Sequence, residues 1–451
     1  MIARSLILFL LLIVIPDVYL YRVWVRHGRR SWPKVAWWAV SALLMAYTLW
    51  LAFTPDFMPS NPWWLFAYLL ILGVYTLPKA LFTLLLPVAA GVRRLRSFTA
   101  GADGGAANPN NARRASMPQK GSPVTEKVTS SAGKASSATG KTEKNGRWAV
   151  GVAAALSAGL IGMVGYGVTE GFYKFEVRQL DYSAPQVPPA FDGYKVALFS
   201  DAHVGSYITG RGQRLLAEAM DSLNALGPDL IVFTGDLQNV RAQEIAQHRE
   251  ALSSLKAPDG VMAVLGNHDY AMYLGGTEQE KAAAEAATVS QIQTLGWDLL
   301  RNEHRCIARE TDTLVVGGME NYGKPPFPSR GSVEQTLQGV GENAFILMLE
   351  HDPYAWQHEI LPKSRAQLTL SGHTHGGQIK LGPFSPYAVI GGEYEGLYHH
   401  ADRTLFVTRG LGGLIPLRFG ATGEIVLITL HRTPSTGATP AVPEARLTNR
   451  P

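Results

Sequence analysis

Four apolar stretches within the first 168 residues constrain this chain more than any other feature. Residues 6–21, 35–53, 63–92 and 148–168 each approach or exceed the roughly 20 apolar residues that a helix needs to cross a bilayer core. The first is short and holds Pro16 and Asp17. The third holds Pro78 and Lys79, which predicts a kinked or partly interfacial helix. The fourth is rich in Gly151, Ala153, Ala154, Ala155, Gly159 and Gly162, and small residues let helices approach closely in lipid. A helix buried in a soluble core is the competing reading for that fourth stretch.

Loop charge orients the spans. Arg22, Arg26, Arg29, Arg30 and Lys34 come after the first stretch without an acid among them, whereas residues 54–62 carry Asp56 and no Lys or Arg. The positive-inside rule puts the first loop in the cytoplasm and the second outside. Residues 93–147 hold 11 Lys and Arg against Asp103, Glu126 and Glu143, which predicts a cytoplasmic segment, and the fourth span then delivers the C-terminal part of the chain to the extracytoplasmic side. The expected organisation is a membrane region with three spans at 1–95, a disordered basic linker at 96–147, the fourth span at 148–168, a globular domain at 181–432 and a disordered tail at 433–451. The formal net charge of +5 comes partly from the linker, whose stretch 99–145 interleaves no aromatic residues with its charges. It therefore predicts contact with anionic lipid heads and no nucleic-acid partner.

The globular part presents five segments that concentrate metal-ligand chemistry. They read Asp201-Ala202-His203, Gly235-Asp236, Gly266-Asn267-His268-Asp269, His351-Asp352-Pro353 and Gly372-His373-Thr374-His375. Each comes directly after an apolar run that reads as a β-strand, at 196–200, 230–234, 261–265, 345–349 and 368–371. Singly, each piece is better read as a turn or a helix cap. Jointly they hold five of the chain's 12 His, and clustered His and Asp at strand ends are what metal chemistry needs.

Ligand chemistry suggests roles. A hydrolytic site with two ions about 3.5–4 Å apart needs a carboxylate that can bridge them, and Asp236 is the natural bridge. On an extended chain end, side chains alternate with period two, so Asp201 and His203 are expected to point to one side, as are His373 and His375. Asn267 can offer only its amide oxygen. The adjacent His268 is then free for proton transfer, with Asp269 expected to orient it.

In this order the segments resemble the calcineurin-like metallophosphoesterase superfamily, over roughly residues 193–431. Carried over position by position, the resemblance implies that Asp201, His203, Asp236 and His375 hold one ion and that Asp236, Asn267, His351 and His373 hold the other. It makes His268 the catalytic histidine. Gly372-His373-Thr374-His375-Gly376-Gly377-Gln378, Arg409-Gly410-Leu411-Gly412 and Arg418-Phe419-Gly420 are similar to the branch of membrane-associated or exported bacterial phosphoesterases. The family often has a second acid shortly after Gly-Asp, where this chain reads Leu237-Gln238-Asn239. After residues 314–317 the branch often shows an Asp, where this chain reads Met319-Glu320-Asn321-Tyr322. The implied mechanism is in-line attack on phosphorus by a metal-bridging hydroxide, with His268 protonating the leaving oxygen. Arg409 and Arg418 are expected to contact a phosphate or acidic head group.

A helix near residues 212–226, another near 277–295, and late strands near 404–408 and 424–430 predict an α/β fold: a sandwich of two mixed sheets between helices, preceded by an α-helical transmembrane region. The four-layer α-β-β-α arrangement of the superfamily is of this kind. Cys306 is the sole cysteine, so no intrachain disulfide supports the fold. The resulting expectation is a membrane-anchored hydrolase of a phosphate mono- or diester, with a lipid or envelope-linked substrate. It would use two divalent ions (Mn, Fe or Zn) and sit in a bacterial inner membrane with its catalytic domain outside. The alternatives are a cytoplasm-facing hydrolase of a nucleotide-linked lipid and a non-catalytic metal-binding receptor.

Overall fold

The computed structural model describes residues 2–54, 63–102, 136–434 and 444–449. The chain forms two compact units, Met1–Ala52 with Ala67–Gly162, and Phe53–Phe66 with Met163–Pro451.

Among the described residues, four helices are long and apolar enough to cross a membrane: Leu6–Val25, Trp32–Phe53, Trp63–Val92 and Trp148–Gly171. In the first unit, α1 (Ile2–Leu20) runs into a π-helical turn, α2 is Trp32–Phe53, and α3 (Trp63–Ile71) joins α4 (Leu77–Ala102) through a second π turn, Leu72–Thr76. That second turn lies just before Pro78, where the sequence predicts a kink, and a π-bulge is one of the few local causes of one. Asp17 and Lys79, the charges in the first and third stretches, form a buried ion pair. Ser41 Oγ donates to the Asp17 carboxylate, Trp37 Nε1 donates to its backbone oxygen at 3.2 Å, and the Lys79 ammonium lies 3.7 Å from the centre of the Tyr75 ring.

The helix α5 (Ser136–Tyr166) buries Ala149, Ala153 and Ser157, spaced four apart. Its glycines behave differently from the expectation of close helix approach: a Cβ built on Gly151, Gly159 or Gly162 meets no atom within 4 Å. Of the expected linker, residues 103–135 lie outside the described residues, as do residues 55–62 of the second loop, while 96–102 and 136–147 continue α4 and α5.

The second unit pairs two sheets. Its strands are β1 (Phe175–Ala184), β2 (Lys195–Phe199), β3 (Leu230–Phe233), β4 (Val261–Ala263), β5 (Asp298–Leu299), β6 (Glu303–Arg309), β7 (Asp312–Gly318), β8 (Phe345–Leu349), β9 (Leu368–Ser371), β10 (Gly396–His400), β11 (Arg403–Val407), β12 (Gly423–Arg432) and β13 (Glu444–Asn449). One sheet runs β13-β1-β12-β2-β3-β4-β5 and the other β10-β11-β9-β8-β7-β6. In the first, β2, β3, β4 and β5 are parallel neighbours; in the second, β11, β9, β8 and β7 are.

Period-two alternation explains the layering. Along β2, Val196 and Leu198 enter the core between the sheets with Leu347, Leu370 and Phe406, while Ala197 and Phe199 face the opposite core. There the helix Gly210–Ala225 covers the sheet with Leu216, Ala219, Met220 and Leu223. On the far side of the second sheet, Met348 and Val407 pack with Trp356 and Ile360. The expected sandwich of two mixed sheets between helices is therefore present. The tail differs from expectation: β13 adds antiparallel to the free edge of β1, and its Ala445 and Leu447 pack against the core between the sheets. Residues 435–443 of the tail lie outside the described residues.

Candidate metal centre

All five ligand segments leave the carboxyl ends of parallel strands, the usual place for a site in α/β sheets. The backbone there is not extended. Asp201, His203, Asp236, His373 and His375 have φ of 49°, 45°, 61°, 74° and 53°, a region uncommon for residues with a side chain and concentrated at functional sites. Convergence therefore comes from left-handed turns at the strand ends, and the period-two geometry expected for the two His-containing pairs is corrected. Glycines make room for the turns. A Cβ on Gly235 (φ 96°) would stand 2.5 Å from the Gly266 amide nitrogen, and one on Gly372 would stand 2.2 Å from the Asp201 carboxylate.

The seven expected ligand residues come together. Asp236 Oδ2 lies 3.6 Å from His203 Nε2 and 3.2 Å from His351 Nε2. Asn267 Oδ1 lies 3.1 Å from His351 Nε2 and 2.8 Å from His373 Nδ1. His375 Nε2 lies 3.6 Å from Asp201 Oδ1, and the His373 amide donates to the same carboxylate at 3.0 Å. The potential ligand atoms group as Asp201, His203 and His375, as His203, Asp236 and His268, and as Asp236, His351 and His373, each set within 4.8 Å. Asp236 belongs to two of these groups.

The donor set fits divalent cations. Among the described residues, His203 Nε2 and His375 Nδ1 are buried and have no hydrogen-bond partner, and an unpaired buried polar atom costs about 1–3 kcal/mol. A cation receiving their lone pairs would relieve that cost. Burial drives His203 down to about 3 and lowers His373 and His375 as well, keeping these imidazoles in the neutral form that ligates. Burial works against ionisation of Asp236, but the imidazoles of His351, His268 and His203 hold it well below the usual carboxylate range.

His268 stands between the ligands and the β3 loop. Its Nδ1 lies 2.5 Å from the carbonyl oxygen of Asn239; since a carbonyl can only accept, Nδ1 carries a proton and Nε2 is left to exchange one. Asp269 does not orient it. The Asp269 side chain turns back along its own 3₁₀ turn and accepts from the amides of Gly266 and Asp236, both at 2.9 Å, and of Leu237 at 3.1 Å. It fastens the β3 and β4 ligand loops to one another.

Sequence reasoning missed four neighbours. Asn239 Oδ1 lies 3.2 Å from His203 Nδ1, and Asp352 Oδ2 lies 3.6 Å from His373 Nε2. Tyr273 accepts from Asn267 Nδ2 at 3.0 Å and places its ring 4.3 Å from that of His268. Phe327, from the Pro-rich segment 324–328, meets His373 edge-on at 4.9 Å. Asn239 and Asp352 stand within the quoted segments; nothing in the sequence around Tyr273 or Phe327 marks them.

The two arginines expected to meet substrate are engaged internally. Arg409 donates from Nε to Glu424 at 2.8 Å and also pairs with Glu176, and Glu424 accepts in turn from the Arg409 amide. Arg418 is fully buried and donates to the carbonyls of Gly412 (3.1 Å), Ala421 (2.9 Å), Arg409 (2.8 Å) and Gly410 (3.2 Å). Both guanidinium groups brace the loop behind Asp201.

Comparison with known proteins gives the family. Residues 194–377 match the family described as "Calcineurin-like phosphoesterase", and residues 3–172 match "Probable Calcineurin-like phosphoesterase, transmembrane domain". The chain is 33% identical over 293 residues to "Uncharacterized metallophosphoesterase YkuE" of Bacillus subtilis (strain 168), covering 62% of this chain and 93% of that protein. It is 27% identical over 276 residues to "Transmembrane protein with metallophosphoesterase domain" of Danio rerio, covering 59% of this chain and 60% of the other. A similar match, 27% over 304 residues, covers 56% of this chain and 88% of "UDP-2,3-diacylglucosamine pyrophosphatase LpxG" of Chlamydia trachomatis serovar D.

Proposed function

The chain belongs to the calcineurin-like metallophosphoesterases, and from that premise we propose that it is a membrane-anchored, dinuclear-metal hydrolase of a lipid-linked phosphoester. The observation that carries the reading is Asp236, whose Oδ2 lies 3.6 Å from His203 Nε2 and 3.2 Å from His351 Nε2, so that one oxygen neighbours both candidate ligand sets. One ion would be held by Asp201, His203, Asp236 and His375, and the other by Asp236, Asn267, His351 and His373. Two divalent ions would acidify water and offset the charge on phosphate. Mn, Fe and Zn all suit this mixed donor set.

The chain's own residues do the rest. Asn239 and Thr234 accept from the Nδ1 atoms of His203 and His351 through their oxygens, fixing which ring nitrogen faces the centre. Asp269 holds the two central loops together. His268, with Nδ1–H held by the Asn239 carbonyl, presents Nε2 to the leaving oxygen; Nε2 takes up a proton from solvent and passes it on to that oxygen, returning to the neutral ring. With both arginines engaged internally, Tyr273 and Phe327 are the residues placed to shape the substrate's approach.

A lipid-linked substrate is supported by the apolar N-terminal helices and by a relative whose name carries a nucleotide-linked lipid. Loop charge supports an extracytoplasmic catalytic domain in a bacterial plasma membrane. The relative's nucleotide-linked substrate favours the second reading, a domain facing the cytoplasm. Protease treatment of intact spheroplasts separates the two, because cleavage of the catalytic domain only after lysis would sink the external reading. The enzymatic reading is tested with the full chain and bis-p-nitrophenyl phosphate. Hydrolysis should depend on added Mn and vanish in Asp236→Ala and His268→Ala. Inactivity of the metal-loaded parent toward every phosphoester tried would leave a receptor as the better account.

A further inference from the structure

Among the described residues beyond Gly171, five large apolar side chains are exposed: Leu381, Phe384 (76%), Val389 (89%), Ile390 and Ile415. Four of them lie in residues 381–392, a run of 12 positions without a single Asp, Glu, Lys, Arg or His. This is no loose loop. A turn closes on itself through paired amide–carbonyl bonds between Leu381 and Phe384 at 2.8 and 3.1 Å, and the short helix Pro386–Ile390 comes next, capped by Ser385.

On one side the run is tied to the end of the fourth apolar helix. The Lys380 amide donates to the Phe419 carbonyl, Phe419 donates back to Gln378, and Gln378 Nε2 reaches the carbonyls of Ile415 and Leu417. The Arg418 amide donates to the Gly167 carbonyl at 3.1 Å, and the Phe419 ring stands 5.8 Å from that of Tyr166. On the other side the run borders the metal centre: Ser385 Oγ contacts the Gly376 carbonyl at 3.4 Å, one residue from His375.

The helix Trp148–Gly171 has 24 residues, about 36 Å at 1.5 Å per residue, against a hydrocarbon core of about 30 Å. With the helix spanning the bilayer, its last turns would stand at the membrane interface. Tyr166 with Lys174, whose Nζ is 3.2 Å from the tyrosine hydroxyl, is the aromatic and cationic pair that such a boundary favours. A charge-free apolar face fastened to those turns has the bilayer as its nearest apolar medium.

We propose that residues 381–392, with Ile415, form a wedge that seats in the bilayer from which the fourth helix emerges. The wedge holds the metal centre at the lipid surface, within reach of an amphiphilic phosphoester whose acyl part stays in the membrane. Only the identity of that substrate rests on the phosphoesterase reading; the seating does not.

The test uses the full chain with Cys306→Ser, carrying a polarity-sensitive fluorophore on Val389→Cys or, separately, on Phe384→Cys. Each is reconstituted one copy per nanodisc with phosphatidylethanolamine and phosphatidylglycerol, with and without lipids bearing a nitroxide high on the acyl chain. The expected result is blue-shifted emission that loses intensity when the nitroxide lipid is present. Emission characteristic of water, unchanged by nitroxide, would overturn the proposal. So would blue-shifted emission without quenching, which would mean that a protein surface covers the face. Failure of the unlabelled parent to hydrolyse bis-p-nitrophenyl phosphate would sink the phosphoesterase reading and leave the quenching result to stand on its own.

Discussion

Gly171 abuts the carbonyl of Arg418 so closely that a Cβ built on it would stand 1.8 Å from that oxygen. The Arg418 guanidinium gathers the carbonyls of Arg409, Gly410 and Gly412, and the Gly412 amide donates to the Asp201 carbonyl at 2.8 Å. The end of the fourth helix and Asp201, a candidate metal ligand, thus share one braced loop. Gly171→Ala must push that loop away, at about 1–3 kcal/mol for an overpacked contact. It is expected to lower the melting temperature and the bound metal content together. Gly165→Ala, with open space around its added carbon, should leave both unchanged in the same thermal scan and metal analysis.

Asn239 separates metal retention from proton transfer. Its side-chain oxygen meets His203 Nδ1, whereas its main-chain carbonyl meets His268 Nδ1. Asn239→Leu removes the first contact, together with the Asn239 Nδ2 donation to Ser206 Oγ at 3.0 Å, and keeps the second. The expected outcome is metal affinity weakened about 10–100-fold, the usual size for losing a ligand's orienting partner, with turnover near the parent's once metal is saturating. Titrating hydrolysis with Mn reads both quantities, and a turnover loss that saturating metal does not restore would show that Asn239 positions His268 through its side chain.

The candidate ligands were legible because each comes within a few residues after a strand written as an apolar run, as Asp236 does after Leu230–Phe233. What holds those ligands was not. Asp269 looked like a partner for its neighbour His268, but a carboxylate at the third position of a 3₁₀ turn satisfies the turn's own amides first. Arg409 and Arg418 were expected at the substrate because the acids and carbonyls that bury them come from Glu176, Glu424 and the backbone of residues 409–421, and backbone acceptors leave no trace in a sequence. Strand β13 was hidden by Pro and Thr around it; only Ala445 and Leu447 alternate inward, and two apolar residues are too few to mark a strand.

Glu244 makes stability depend on pH away from the metal ligands themselves. It accepts from the amides of Val240 and Arg241 at 3.2 and 3.1 Å, and burial raises it from 4.5 to about 7. Between those values the folded chain binds more protons than the unfolded one, so this contribution is complete below pH 4.5 and lost as pH rises through 7. At about 1.4 kcal/mol per unit it amounts to at most on the order of 3 kcal/mol, less what solvent at its partly exposed edge screens. Glu244→Gln cannot ionise. Its melting temperature relative to the parent should therefore rise between pH 5 and pH 8, and a constant difference across that window would refute the assignment.

The buried pair between Asp17 and Lys79 explains how two helices carry charge through an apolar region. An ion pair of this kind adds little beyond a well-packed apolar replacement, yet removing one partner leaves the other charge stranded, at about 3–5 kcal/mol. Asp17→Ala also strands Ser41 Oγ, and Lys79→Ala leaves the Tyr75 ring without its cation. Each single variant is therefore expected to unfold at a lower temperature in nanodiscs than the Asp17→Ala, Lys79→Ala double variant, which carries no charge at either position. That order distinguishes coupling from simple loss of contacts. If the double variant instead fell by the sum of the two singles, the two residues would be acting independently, and the pair would not be what allows these helices to lie in lipid.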